Sequence, residues 1–225
     1  MRDAPVLLVH GFATSAARTW GDNGWIDLLG DAGRTVIAPD LLGHGDAAKP
    51  HDPAAYGALE AEVAAVLPDR PVDAVGFSLG ARVVLTLAAE DPGRFGRIVV
   101  AGVGANLFRD SGSDLVARAI EGDGDPANPM AQYFAGLAAQ PGADREALAA
   151  CIRSPRPPLD AAVLGKVTCP VLVVLGDRDF AGPADPLVEA LPDASFCPLR
   201  GVDHFATPKD FGFIDAALGF LDAQI

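Results

Sequence analysis

Residues 71–90, PVDAVGFSLGARVVLTLAAE, decide how this chain is read. An apolar run, PVDAV, leads into GFSLG (76–80), and a helix-like run, ARVVLTLAAE, follows at once. A lone serine between two glycines could be a tight turn and nothing more. With 25 glycines in the chain, a G-x-S-x-G match arises by chance about once in fourteen sequences of this composition, so the motif counts only in its setting. Here the setting is a strand turning into a helix. At such a turn a serine is held at the strand tip in a strained backbone conformation, and small neighbours let strand and helix pack closely. Gly76, Gly80 and Ala81 are those neighbours.

Outward from this stretch the same rhythm repeats. Runs rich in Val, Ile and Leu occur at PVLLVH (5–10), TVIAPD (35–40), VDAVGF (72–77), RIVVAG (97–102), PVLVVLG (170–176) and SFCPL (195–199). Several are apolar on consecutive rather than alternate residues, as expected of strands in a parallel sheet with helices on both faces. Helical candidates lie between them: 25–33, 52–67, 79–90, 186–191 and 208–223. The second carries a stripe of Tyr56, Leu59, Val63 and Val66 or Leu67; the last brings Phe211, Ile214, Leu218 and Leu221 together. Strand then helix, repeated, predicts an α/β fold with right-handed crossovers and a mostly parallel, six-stranded sheet.

One region breaks the rhythm. Residues 106–160 offer helix-like pieces (DLVARAIEG, PMAQYFAGLAAQ, DREALAACI) joined by Gly- and Pro-rich segments, with no convincing strand. About 55 residues cannot be a plain loop in a compact domain. The expectation is one domain over 1–225, with its core in 1–105 and 161–225 and a helical lid inserted at 106–160.

The bulk numbers exclude other classes. At 225 residues, half of them apolar and with a mean hydropathy of +0.25, the chain can bury a full core. A formal charge of −13 disfavours nucleic acid, which demands clustered Lys and Arg, and disfavours anionic membranes. No apolar run approaches the ~20 residues of a membrane span, and MRDAPVLLVHGF lacks the length and cleavage site of a signal peptide. A cytoplasmic location is expected. Cys151, Cys169 and Cys197 form no CxxC pair or zinc spacing.

A serine hydroxyl is a poor nucleophile unless a base takes its proton, usually a histidine oriented by a carboxylate. The strand–turn–helix setting demands the chain order serine, acid, histidine. Of His10, His44, His51 and His204, only His204 follows Ser78. It stands in GVDHFATP, past the last predicted strand, at the carboxyl edge where open α/β sheets hold their sites. The acid is sought in GDRDF (176–180). Asp179 reaches farther over the sheet edge, and Asp177 remains the alternative; Asp203, beside the histidine, is expected to point away. A tetrahedral intermediate also needs backbone N–H donors. Leu79, at a helix N-terminus, is one candidate, and Phe12 in the HGFAT loop (10–14) is the other.

HGF, DLLGHGDAAKP (40–50), GFSLG, GDRD and the late His204 together resemble the α/β-hydrolase superfamily, of the esterase, lactonase and C–C-bond hydrolase kind. The resemblance spans almost the whole chain. It implies Ser78 as nucleophile, Asp179 as acid, His204 as base, and Phe12 and Leu79 as oxyanion donors. It implies a small, rather apolar carboxylic ester, lactone or thioester as substrate, and neither a metal nor an organic cofactor. Enol-lactone or C–C bond hydrolysis by the same triad is the alternative, and a ligand-binding protein with little turnover is the alternative of another class. Leu107, Phe108, Met130, Tyr133 and Phe134 are candidates to face the pocket.

Two departures stand out. Ala47 occupies the place of the usual serine in D-x-x-G-x-G-x-S-x-x-P, which should alter local hydrogen bonding rather than the reaction. Only four residues precede PVLLVHG, so the two strands that usually open the fold are expected to be missing. The sheet order would be 2-1-3-4-5-6, with TVIAPD as an exposed edge that is either covered or used for homo-oligomer formation.

Overall fold

A computed structural model of the protein describes residues 3–110 and 113–224. Six strands form one sheet: β1 (Val6–Val9), β2 (Val36–Ile37), β3 (Val72–Phe77), β4 (Phe95–Ala101), β5 (Val171–Gly176) and β6 (Ala194–Leu199). Their spatial order is β2-β1-β3-β4-β5-β6, and every neighbouring pair is parallel. The winding reverses between β1 and β3, so the loops after these two strands diverge there and leave a crevice at the carboxyl edge.

The helices are α1 (Trp25–Asp31), α2 (Leu59–Ala64), α3 (Leu79–Glu90), α4 (Ser113–Glu121), α5 (Pro129–Ala138), α6 (Arg145–Arg153), α7 (Ala161–Leu164), α8 (Asp185–Ala190) and α9 (Phe211–Phe220). The consecutive apolar runs now have their cause. Val6 and Leu8 of β1 join Val75, Phe77, Val99 and Val174 on one face of the sheet, covered by Trp25 and Leu29 of α1 and Phe213, Ile214 and Leu218 of α9. Leu7 and Val9 join Ala74, Val100, Val171 and Val173 on the other, covered by α2, α3 and α8. Both pleat directions are dry, and each fully buried Val or Leu side chain contributes about 1.5–3 kcal/mol.

Segment 52–67 is not one helix. A single 3-10 turn, Pro53–Tyr56, is followed by a break and then α2. The predicted stripe is nonetheless buried at Tyr56, Leu59, Val63 and Leu67, while Val66 is exposed. Tyr56 accounts for the break: its hydroxyl donates to the Pro50 carbonyl at 2.6 Å. Its ring lies where a Cβ on Gly43 would come within 2.8 Å, so the turn is anchored inward before α2 starts.

The amino edge of the sheet is closed by an ion pair. Arg34 Nη2 donates to Asp73 Oδ2 at 2.5 Å, Nε to the Ala4 carbonyl at 2.9 Å and Nη1 to the Leu221 carbonyl at 2.8 Å. Both side chains are buried. The pair ties the entry to β1, the start of β3 and the end of α9 together, and it explains the aspartate in the otherwise apolar VDAVGF.

β2 is only two residues long, so it offers little template for another strand. Between β4 and β5 the chain runs through α4, α5 and α6, which pack on one another around Ile120, Ala138, Leu148 and Ala149 and reach Ala13 of the loop after β1. Among the described residues, no helix is long and apolar enough to cross a membrane.

Candidate active site

Ser78 sits between β3 and α3 with φ 53° and ψ −112°, a region that residues with a side chain rarely occupy. Its N–H donates to the Ala101 carbonyl at 2.8 Å, and its carbonyl accepts from Arg82 N–H at 3.1 Å. The flanking glycines are required by contact. A Cβ on Gly76 would lie 2.6 Å from Ala81 Cα, and one on Gly80 would lie 2.1 Å from the Val9 carbonyl oxygen. G-x-S-x-G is therefore the sequence trace of α3 crossing tightly over β3 and β1.

His204 Nε2 lies 3.0 Å from Ser78 Oγ, and Nδ1 lies 3.0 Å from both carboxylate oxygens of Asp179. An ionised carboxylate can only accept, which puts the ring proton on Nδ1 and leaves the Nε2 lone pair for the hydroxyl proton. The Asp179 side chain is fully buried and His204 nearly so. Phe77 and Phe180 flank the imidazole, with ring centroids 5.0 and 4.3 Å from it. They narrow the solvent's access to the relay, and the sequence had not singled them out.

The other two aspartates have structural work. Asp177 Oδ1 accepts from Gly201 N–H at 2.8 Å, fastening β5 to the loop that carries the histidine. Asp203 Oδ1 accepts from the N–H groups of Phe205 (3.0 Å) and Ala206 (2.9 Å). Its carboxylate curls the loop instead of facing His204.

The loop after β1 comes close to the serine because Gly11 has no side chain: a Cβ there would meet the Phe77 ring at 2.9 Å and Ser78 Cβ at 3.4 Å. His10 holds this loop. Burial holds its pKa below the usual imidazole range. The neutral ring donates from Nδ1 to the Gly11 carbonyl (2.7 Å) and accepts the Leu41 N–H at Nε2 (3.0 Å). Asp40 ties the loop to DLLGHGDAAKP, accepting from Ala16 N–H and Asp46 N–H, each at 2.8 Å. Where Ala47 replaces serine, the turn is closed by main chain instead: Ala47 N–H donates to the His44 carbonyl at 3.0 Å, and Gly43 N–H to Ala48 at 2.8 Å. Among the described residues, the amides of Phe12 and Leu79, the two expected oxyanion donors, donate to no acceptor. That leaves them available to a ligand.

Above Ser78 and His204 opens a cavity of about 580 Å³. Leu107, Met130, Tyr133 and Phe134 line it; Phe108 instead packs on the core beneath. Tyr133 of α5 stacks on Phe205, centroids 3.3 Å apart. Its phenol is pushed up to about 12 by burial and then by the charge of Asp203. The cavity also contains Arg82 and Arg156, which sequence reasoning missed. Arg82 left a signal, being the one charge within LGARVVLTLAA. Arg156, in the SPRPP segment, left none.

A model of the Alpha/beta hydrolase family matches residues 6–215. The chain belongs to the alpha/beta hydrolase family. The family's fold accounts for solved structures similar over nearly the whole chain. A bromoperoxidase from Bacillus anthracis is 24% identical with a TM-score of 0.74, covering 98% of this chain and 92% of that one. A 2-hydroxy-6-oxo-6-phenylhexa-2,4-dienoate hydrolase from Rhodococcus sp. strain RHA1 is 22% identical with a TM-score of 0.74, covering 98% and 91%. An uncharacterized protein of Mycobacterium tuberculosis is 37% identical over 102 residues. That match spans 44% of this hydrolase-family chain and 29% of the relative.

Proposed function

We propose that the protein is a serine hydrolase that cleaves a small, rather apolar carboxylic ester, or a related lactone or thioester, through an acyl-enzyme on Ser78. The observation that carries this reading is the unbroken relay from Ser78 Oγ through His204 to Asp179, each step 3.0 Å, at the floor of the 580 Å³ cavity. His204 Nε2 takes the hydroxyl proton as Oγ bonds to the carbonyl carbon. The electron pair displaced onto the carbonyl oxygen is stabilised by the N–H groups of Phe12 and Leu79. Collapse breaks the ester bond, and His204 returns the proton to the departing alcohol. Water then attacks the acyl carbon, giving its proton to His204, and the acid leaves as Ser78 recovers its hydrogen. Asp179 holds the tautomer and stabilises the transient imidazolium. The helices of 106–160 act as a lid that shapes the acyl site.

Fluorophosphonate labelling and 4-nitrophenyl ester hydrolysis test this reading. Wild type should be labelled at Ser78 and show burst release of nitrophenolate. Ser78→Ala should lose both, and His204→Ala should lose most of both. Hydrolysis that survives Ser78→Ala would overturn the assignment.

A further inference from the structure

The chain has a formal charge of −13, yet among the described residues the cavity above Ser78 is lined by Arg18, Arg82, Arg109, Arg156 and Lys209 against a single carboxylate, Asp110. An acidic protein with a basic pocket has concentrated its positive charge where a ligand sits. Two of these cations, Arg82 and Arg156, are both tied to the 151–157 segment. Arg82 lies on α3 four residues beyond Ser78, about 6 Å along the helix axis. Its Nη2 donates to the Pro157 carbonyl, which brings its guanidinium beside Arg156. Arg156 donates from Nη1 to the Cys151 carbonyl at 2.8 Å and from Nη2 to Cys151 Sγ at 3.4 Å. Both are partly buried.

Among the described residues, neither guanidinium forms an ion pair. Their contacts go to neutral carbonyl and sulfur atoms, which orient the forks without neutralising them. The pKa of Arg82 is lowered first by burial and next by the charge of Arg156, with Glu60 too weak to offset it. Two like charges held together in a half-dry pocket are unfavourable for the free protein, and an anion between them relieves the repulsion. The same need is met on the opposite edge of the sheet by Asp73, which pairs with Arg34; here no carboxylate among the described residues forms an ion pair with either guanidinium.

We propose that Arg82 and Arg156 form an anion subsite beside Ser78, so that the substrate is an ester bearing a carboxylate a short chain away from the scissile carbonyl. The apolar walls around Phe134 and Leu107 take the hydrocarbon between the two ends. This assignment deepens the ester-hydrolase reading and rests on it.

A matched pair of substrates, mono-4-nitrophenyl glutarate and its methyl ester, tests it. Wild type should hydrolyse the carboxylate form with at least about tenfold higher kcat/KM, expressed mainly in KM. Arg82→Gln and Arg156→Gln should each lower the anionic-to-neutral ratio by about tenfold, the scale of a charge-assisted hydrogen bond. Arg82→Lys should restore part of the preference, because it keeps the charge and loses the fork. A ratio near one in wild type, or one that persists in the double Gln variant, overturns the subsite. Melting temperatures of the variants identify any that fail to fold. Calorimetric binding of the two esters to Ser78→Ala protein reads the same preference without turnover. Loss of all Ser78-dependent hydrolysis would therefore count against the esterase reading, while equal binding of both esters would count against the anion subsite.

Discussion

The two edges of the sheet treat charge in opposite ways. At the amino edge, Arg34 is buried and donates to one carboxylate and two main-chain carbonyls, so its charge is matched within the chain. At the carboxyl edge, Arg82 and Arg156 line one pocket and form no ion pair among the described residues, and Ser78 holds a strained backbone conformation. The first arrangement is complete in the folded chain. The second is complete only when something else enters. Charge that serves folding is paired and dry, and charge that serves a ligand is oriented but left open.

The largest test of this contrast is at the site. Asp179→Asn should lower kcat for ester hydrolysis by about 10⁴-fold, because the amide favours the wrong imidazole tautomer. Asp177→Asn should stay within a few-fold of wild type, since that side chain fastens the Gly201 loop. Steady-state kinetics on the two variants check the assignment, and equal losses would erase the distinction. At the amino edge, Arg34→Met should destabilise the protein by about 3–5 kcal/mol by stranding Asp73, and Arg34→Met with Asp73→Leu should recover most of that loss. Urea unfolding measures both. If the double variant is as unstable as the single, the pair does more than satisfy itself.

A smaller effect concerns acid. His44 is buried, with Nδ1 on the Leu42 carbonyl at 2.9 Å. Its pKa is lowered to about 3, chiefly by burial. In the unfolded chain the imidazole protonates below about 6.5, so between those values the unfolded state binds the extra proton. Stability should fall as pH drops through that window, by up to about 1.4 kcal/mol per pH unit from this one group. Unfolding of His44→Leu across pH 4–7 should show a correspondingly shallower slope. Smallest of all, Ser78→Gly should abolish hydrolysis yet raise stability by about 1 kcal/mol, because glycine adopts positive φ without strain. A decrease would mean that the serine's contacts outweigh its backbone cost.

The parallel sheet is legible in the sequence itself. The unbroken apolar runs of β1 and β5 announce a sheet covered on both faces. Chain order leaves His204 as the one histidine after Ser78. The preference for Asp179 over Asp177 rests on reach beyond the strand end; Asp179 lies 3.0 Å from His204 Nδ1, and Asp177 accepts from Gly201 N–H. What stayed hidden depends on convergence between distant segments. Nothing local says that Arg156, between prolines, turns toward a helix 74 residues earlier. Nor does the sequence reveal that the Tyr56 hydroxyl pulls its turn inward and interrupts the helix read over 52–67. Residues 161–164 form a one-turn helix too brief to carry a periodic signal.

The stack of Tyr133 on Phe205 has a mechanical consequence. The pocket's roof at Tyr133 rests on Phe205, the residue after His204, so roof and imidazole share a joint. A change that reshapes the roof for a longer or wider ligand is expected to shift the imidazole as well. Selection for new ligands at this hinge point is therefore expected to register in turnover as well as in affinity.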